Sequence, residues 1–364
     1  MKNMEHKKYR DLIQVSLIII LTAAGGGLLW AARNVAGFAE WYSKTVYPVI
    51  VGIIGRFWGV LPISIVELML YGGAVLLIYL MFRYWKHPWV LVKHYAFTVS
   101  LLLFLYAACC GVNYYRIPFS SYYIAGLQEK VKEKQISYEP TQTLRELCLW
   151  LTEQVNRARV ELDAAEGNYL KMQKKGVDAM KQLADQYPSL SGYYPQPKPV
   201  LISWILSIQQ CSGVYSPFTI EANYNKDMIA YNIPHTICHE LSHLRGFMRE
   251  DEANFIGYLA CLESDEADYR YSGYLLGWIY AGNALARVDY EEYNRIYRLL
   301  DEKITEDLDH NNDFWDRYEG EIAEVQEKVN DAYLKANGQA DGVLSYGRVV
   351  DLMLIDYVLN RKES

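Results

Sequence analysis

No C-x-x-C spacing occurs among the six cysteines, at positions 109, 110, 148, 211, 238 and 261. That excludes a zinc ribbon and a thioredoxin-type redox motif, both of which need closely paired thiols. Cys109 and Cys110 fall inside an apolar block, where a small buried side chain is the plain reading. Basic clusters are lacking too: 36 Lys and Arg stand against 43 Asp and Glu, for a net charge of -7. Such a balance offers no electrostatic footprint for nucleic acid, and no nucleic-acid partner is expected. From Pro118 onward no apolar run reaches the roughly 20 residues that a helix needs to cross a bilayer. No internal repeat divides the 364 residues. Histidine is scarce, seven in all, yet three lie within nine residues.

What is present begins with three long apolar segments, predicted to span a membrane at about 12–32, 62–82 and 95–115. The first is too long, and too closely followed by two others, for a cleaved signal peptide. Glu67 is costly at mid-membrane, so the second span is expected to start close to it, at the outer interface. Lys2, Lys7, Lys8 and Arg10 precede the first span, and Arg83, Lys86 and Lys93 lie between the second and third. The longer link between the first two carries only Arg33, Lys44 and Arg56. The bias puts the N-terminus in the cytoplasm and everything after Arg116 outside. The aromatic, apolar link "WYSKTVYPVIVGIIGRFWGV" is expected to lie along the outer interface. The chain thus reads as a multi-pass protein of the cytoplasmic membrane, with an anchor over 1–116 and an extracytoplasmic domain over 117–364.

That domain reads as α+β and mostly helical, with a small sheet just before a motif-bearing helix. Helices are predicted over 140–172, over "GVDAMKQLADQYPSL", nearly throughout beyond residue 250, and over "SYGRVVDLMLIDYVLN". A charged amphipathic stretch runs from about Asp313 to Ala336. "PKPVLISWILS" and "GVYSPFTIEANYN" are the strand candidates, being β-branched, aromatic and bounded by Pro, Gly and Asn. The second is either an edge strand able to pair with an extended peptide or a plain core strand.

"IPHTICHELSHLRG" is predicted to form a helix from near Pro234, stopped by Gly246. Ile233, Ile237, Leu241 and Leu244 form its core stripe. His235, His239 and His243 form the neighbouring stripe, one turn apart. His239, Glu240 and His243 spell H-E-x-x-H, in which two imidazoles at i and i+4 can meet one tetrahedral zinc ion. Glu240 then leans over the open position as general base. His235 would sit about 6 Å further along the axis, behind the ligands or on the surface.

Such a site needs a third protein ligand. Gly246 lets the chain reverse, and "REDEANFIGYLAC" reads as the next helix. Glu250 or Glu252 is the candidate, with Glu263 more distant, and Asn254 shares a face with Glu250 at i+4. H-E-x-x-H followed by E-x-x-x-N resembles the zincin metallopeptidases, specifically the glutamate-liganded gluzincin branch. That resemblance implies Glu250 as third ligand; Asn254 stands where those enzymes carry Asp. Through "SPFTIEANYN", "CHELSHLRGFMREDEANF", "YSGYLLG" and "SYGRVVDLML", together with the spans, the chain resembles a bacterial membrane family catalogued as domain of unknown function 3810.

The resulting expectation is a membrane-anchored, zinc-dependent hydrolase of the metallopeptidase kind, acting on an unidentified peptide or protein substrate and touching lipid through its spans. One zinc would activate water, with Glu240 taking its proton and passing it to the leaving amine. Tyr271, Tyr346 and Arg348 are the candidate electrophiles for the transition state. The rival is an inactive membrane-tethered metal-binding sensor or scaffold. Against it stands Glu240, for which a structural zinc site has no use. A disulfide between Cys238 and Cys261 is open.

Overall fold

The structure, a computed structural model, describes residues 2–133, 139–165, 171–339 and 348–362. Two compact units divide the chain: residues 1–116 with 216–221, and residues 117–215 with 222–364.

In the first unit, α1 (Lys2–Asn34) is followed by the short helices α2 (Phe38–Thr45), α3 (Tyr47–Ile50) and α4 (Arg56–Gly59), then α5 (Ile65–Tyr84) and α6 (Pro88–Cys109). Three of these helical stretches, beginning at Tyr9, Ile65 and Pro88, are long and apolar enough to cross a membrane. Their apolar side chains stay outward: Leu70, Val75 and Phe82 on α5 are all exposed, as expected of helices whose solvent is hydrocarbon. The chain is in this sense a membrane protein.

α1 lies along α6, and a methyl group added at Gly25 would meet the Phe104 backbone at 3.2 Å. Thr22 also donates to Ser100 at 3.1 Å across that seam. The third segment differs from its sequence reading of 95–115. Pro88 opens the helix at its first turn, where a missing N–H costs nothing, and the helix ends at Cys109, with a 3₁₀ turn over Gly111–Tyr115. Lys93, read as a flank, lies within α6, where its ammonium pairs with Asp11 of α1.

α5 starts three residues later than read, and Glu67 falls in its first turn. Ser64 caps that turn by accepting the Glu67 N–H at 3.3 Å, while the Tyr71 hydroxyl donates to the Glu67 carboxylate at 2.8 Å. Glu221 completes the end: its carboxylate accepts the N–H groups of Ile65 and Val66 at 3.2 and 2.9 Å. The orphan donors of the helix start are thereby satisfied.

The second unit opens with α7 (Phe119–Glu133), α8 (Pro140–Ala164) and α9 (Met172–Gln186). The helix read over 140–172 ends at Ala164, and residues 166–170 lie outside the described part. β1 (Lys198–Pro199), the single turn α10 (Trp204–Ser207), β2 (Gly213–Ser216) and β3 (Glu221–Tyr224) follow. The sheet has the order β1-β3-β2, with Lys198 opposite Asn223 in the parallel pair β1–β3.

Both strand readings need correction. "PKPVLISWILS" keeps only two residues of strand, because Ser203 turns the chain by donating to the Val200 carbonyl at 2.8 Å while accepting the Lys226 N–H at 3.0 Å. "GVYSPFTIEANYN" is a hairpin and not one strand. Pro217 follows β2, and Ile220 turns at φ 55°, a strained value for a β-branched residue.

After the sheet come α11 (Asn232–His243), α12 (Glu250–Leu262), α13 (Ala267–Val288), α14 (Tyr290–Tyr297), α15 (Glu302–Asp316), α16 (Glu321–Ala336) and α17 (Arg348–Asp356). α11, α12 and α13 pack on one another, with α8 against α13 and α9 against α11. The charged stretch from Asp313 is two helices, split where Gly320 takes φ 155°. The closing helix read from Ser345 is described from Arg348 onward and passes into a wide π turn at Tyr357.

Candidate metal centre

α11 buries Ile233, Ile237 and Leu241, with Leu244 buried just past its end, which fixes the rotation of the helix and hence the direction of its histidines. Gly246 ends it at φ 82°, a conformation glycine adopts without steric cost. Phe247 then anchors the reversal by packing its ring edge-on to Phe119, 5.5 Å between centroids. Three residues later α12 begins, and Glu250 is its first residue.

This reversal brings three of the sequence candidates together. Oxygens of the Glu250 carboxylate lie 3.2 Å from His239 Nε2 and 4.0 Å from His243 Nε2. All three ligand atoms fall within 4.8 Å of one another. Ligands about 2.0–2.1 Å from a tetrahedral zinc are about 3.3 Å apart, so the set needs only small adjustments to close on one ion. The far ring nitrogens agree: His239 Nδ1 meets Asn254 Oδ1 at 2.8 Å, and His243 Nδ1 meets the Phe247 carbonyl at 2.7 Å. With both Nδ1 atoms donating, each Nε2 can present its lone pair to a cation. On this test the residues fit a zinc ion.

Burial alone would lower the pKa of His239, but the hydrogen bond and charge of Glu250 overcome it and raise it to about 9. Glu250 is correspondingly held below the usual range despite its burial. His243 is depressed to about 4 by burial, and the neighbouring His239 charge adds to that shift. The metal-free cluster therefore holds one proton between His239 and Glu250, which a cation binding there would displace.

Glu240 is the buried acid beside this set. One of its oxygens, Oε2, has no hydrogen-bond partner among the described residues, and burial raises its pKa to about 8. Its other oxygen faces β2 so closely that a methyl group at Gly213 would stand 2.6 Å from it. Only glycine lets the strand approach there. Tyr215, two residues along β2, brings its ring within 5.9 Å of the His243 ring.

The remaining candidates lie elsewhere. Glu252 accepts the N–H and hydroxyl of Ser120 at 2.8 and 2.7 Å, closing the start of α7. Two residues on a helix turn about 200°, which carries it away from the ligand face. Glu263 pairs with Arg361 at 2.8 Å. His235 is buried behind the ligands, its Nε2 3.2 Å from the Asn254 carbonyl, and burial lowers its pKa to about 3. Cys238 and Cys261 are buried free thiols.

The electrophile candidates fare worse. Tyr271 is fully buried, donates to Asp307 at 2.5 Å and packs on Tyr231. Arg348 donates to Asp251 at 3.0 Å. Tyr346 lies outside the described residues. The residue of α13 that does reach the site is Tyr280, whose hydroxyl is 3.4 Å from Asn254 Oδ1. Nine residues from Tyr271, it sits half a turn round the helix, on the opposite face. No motif marks it; only the phase of α13 against α12 selects it.

No curated protein and no solved structure shows a significant match to this chain. Over residues 42–354, a stretch holding α3 to α16, the H-E-x-x-H helix and its acidic partner, the chain belongs to the family described as "Protein of unknown function (DUF3810)".

Proposed function

We propose that this protein is a membrane-anchored, zincin-like, zinc-dependent hydrolase of the peptidase kind, with His239, His243 and Glu250 as metal ligands and Glu240 as general base. The observation that carries the proposal is the convergence of two Nε2 atoms and one carboxylate beside a buried acid with a free oxygen. A metal-ion ligand set built only for stability has no need of that free oxygen. Zinc bound there would polarise a scissile carbonyl and make a water molecule more acidic.

Glu240 Oε2 takes the proton of the attacking water and passes it to the leaving amine. In the metal-free site burial raises the Glu240 carboxyl to about 8, and the charge of a bound cation would lower it toward the range in which it accepts a proton near neutrality. Asn254 and the Phe247 carbonyl hold the two imidazoles by their Nδ1 protons. The distribution of Lys and Arg around the three apolar helices supports a cytoplasmic N-terminus and an extracytoplasmic second unit.

The test is zinc content and hydrolysis of a quenched-fluorescence peptide library by the full chain in detergent, beside Glu240→Gln. Equal zinc with activity lost in the variant supports the reading. Equal zinc with no hydrolysis by either protein favours a metal-binding sensor or scaffold instead.

A further inference from the structure

Asn254 stands in contact with His239 as a neutral amide, and an amide is ambiguous in a way a carboxylate is not. With Oδ1 toward His239, the imidazole keeps its proton on Nδ1 and frees Nε2 for a cation. Rotated by 180°, the amide would donate into Nδ1 and drive the ring proton onto Nε2, where the ligand lone pair is needed. Something must choose between the two. Among the described residues, Asn254 Oδ1 meets His239 Nδ1 at 2.8 Å and the Tyr280 hydroxyl at 3.4 Å. The Tyr280 ring is itself packed on the His235 ring, with 6.2 Å between centroids, which fixes where its hydroxyl arrives.

We propose that Tyr280 is a positioning residue for the metal centre, acting through Asn254 to set which nitrogen of His239 carries the ring proton, and so whether Nε2 offers its lone pair to a cation. A phenol is a better donor than acceptor, so its hydroxyl favours the amide oxygen on the side shared with His239. The inference rests on the zinc reading above and deepens it. At 3.4 Å the hydrogen bond is long, and its effect is accordingly modest.

The experiment is a double-mutant cycle on zinc affinity, measured by competition with a chromophoric chelator on the full chain in detergent. Tyr280→Phe is expected to weaken zinc binding about three- to tenfold. Asn254→Asp offers two equivalent acceptor oxygens and needs no choice between them, so adding Tyr280→Phe to it should change affinity less than about twofold. Equal losses in the two backgrounds, or no loss in the first, overturn the proposal, since a hydroxyl that merely supported packing would cost the same in both. The melting temperature of each variant checks that the fold is retained. Wild-type protein that fails to bind zinc removes the underlying reading as well, an outcome distinct from additive losses on a zinc-binding protein.

Discussion

At Glu240 a carboxyl is kept out of water, one oxygen close against a glycine of β2 and the other without a hydrogen-bond partner among the described residues. Replacing it with Gln keeps the shape and removes the proton acceptor, so hydrolysis should fall about 10²- to 10⁴-fold while zinc content stays unchanged. The two neighbouring acids make a sharper comparison. Glu250→Ala removes a ligand and should weaken zinc binding at least about 100-fold, beyond the usual cost of an outer partner. Glu252→Ala should leave zinc bound and lower stability by about 1–2 kcal/mol, because two part-buried donors of Ser120 lose their acceptor. Chelator competition and thermal melting separate the two outcomes.

Among the elements, α11 and α12 bring His239, His243 and Glu250 together and α13 presses against them. Gly273 of α13 allows that contact: a methyl group there would lie 2.6 Å from Cys261 Cβ of α12. Gly273→Ala should therefore destabilise by about 1–3 kcal/mol through overpacking, read as a lower melting temperature. These helices were legible in the sequence because each carries its own punctuation: the apolar stripe from Ile233 to Leu244, the stop at Gly246, and the acid-led start at Glu250. The strands were not. β3 is buried along its whole length, so no alternation marks it, and the two residues of β1 are held by β3 and not by their own pattern. The choice of Glu250 over Glu252 as the acid facing the histidines depended on the six-residue turn 244–249, whose Phe247 is fixed by packing on Phe119 of α7. Tyr280 was illegible for the same reason, since its partner Asn254 lies 26 residues earlier on another helix.

For the whole molecule, the three apolar helices tie the chain to a bilayer, and the charge bias around them predicts which side the second unit occupies. Val160, exposed on α8, gives a position to test it. In a Cys211→Ser background, which removes the one cysteine that is not buried, Val160→Cys should react with a membrane-impermeant maleimide on intact spheroplasts. Labelling only after lysis would reverse the proposed orientation and leave the metal centre untouched. The centre itself is tested most directly by elemental analysis of the purified full chain after zinc reconstitution and gel filtration. The account predicts about one zinc per chain, lost when His239 and His243 are both replaced by Ala. A wild-type chain that elutes without zinc, or a doubly substituted chain that retains it, would contradict it.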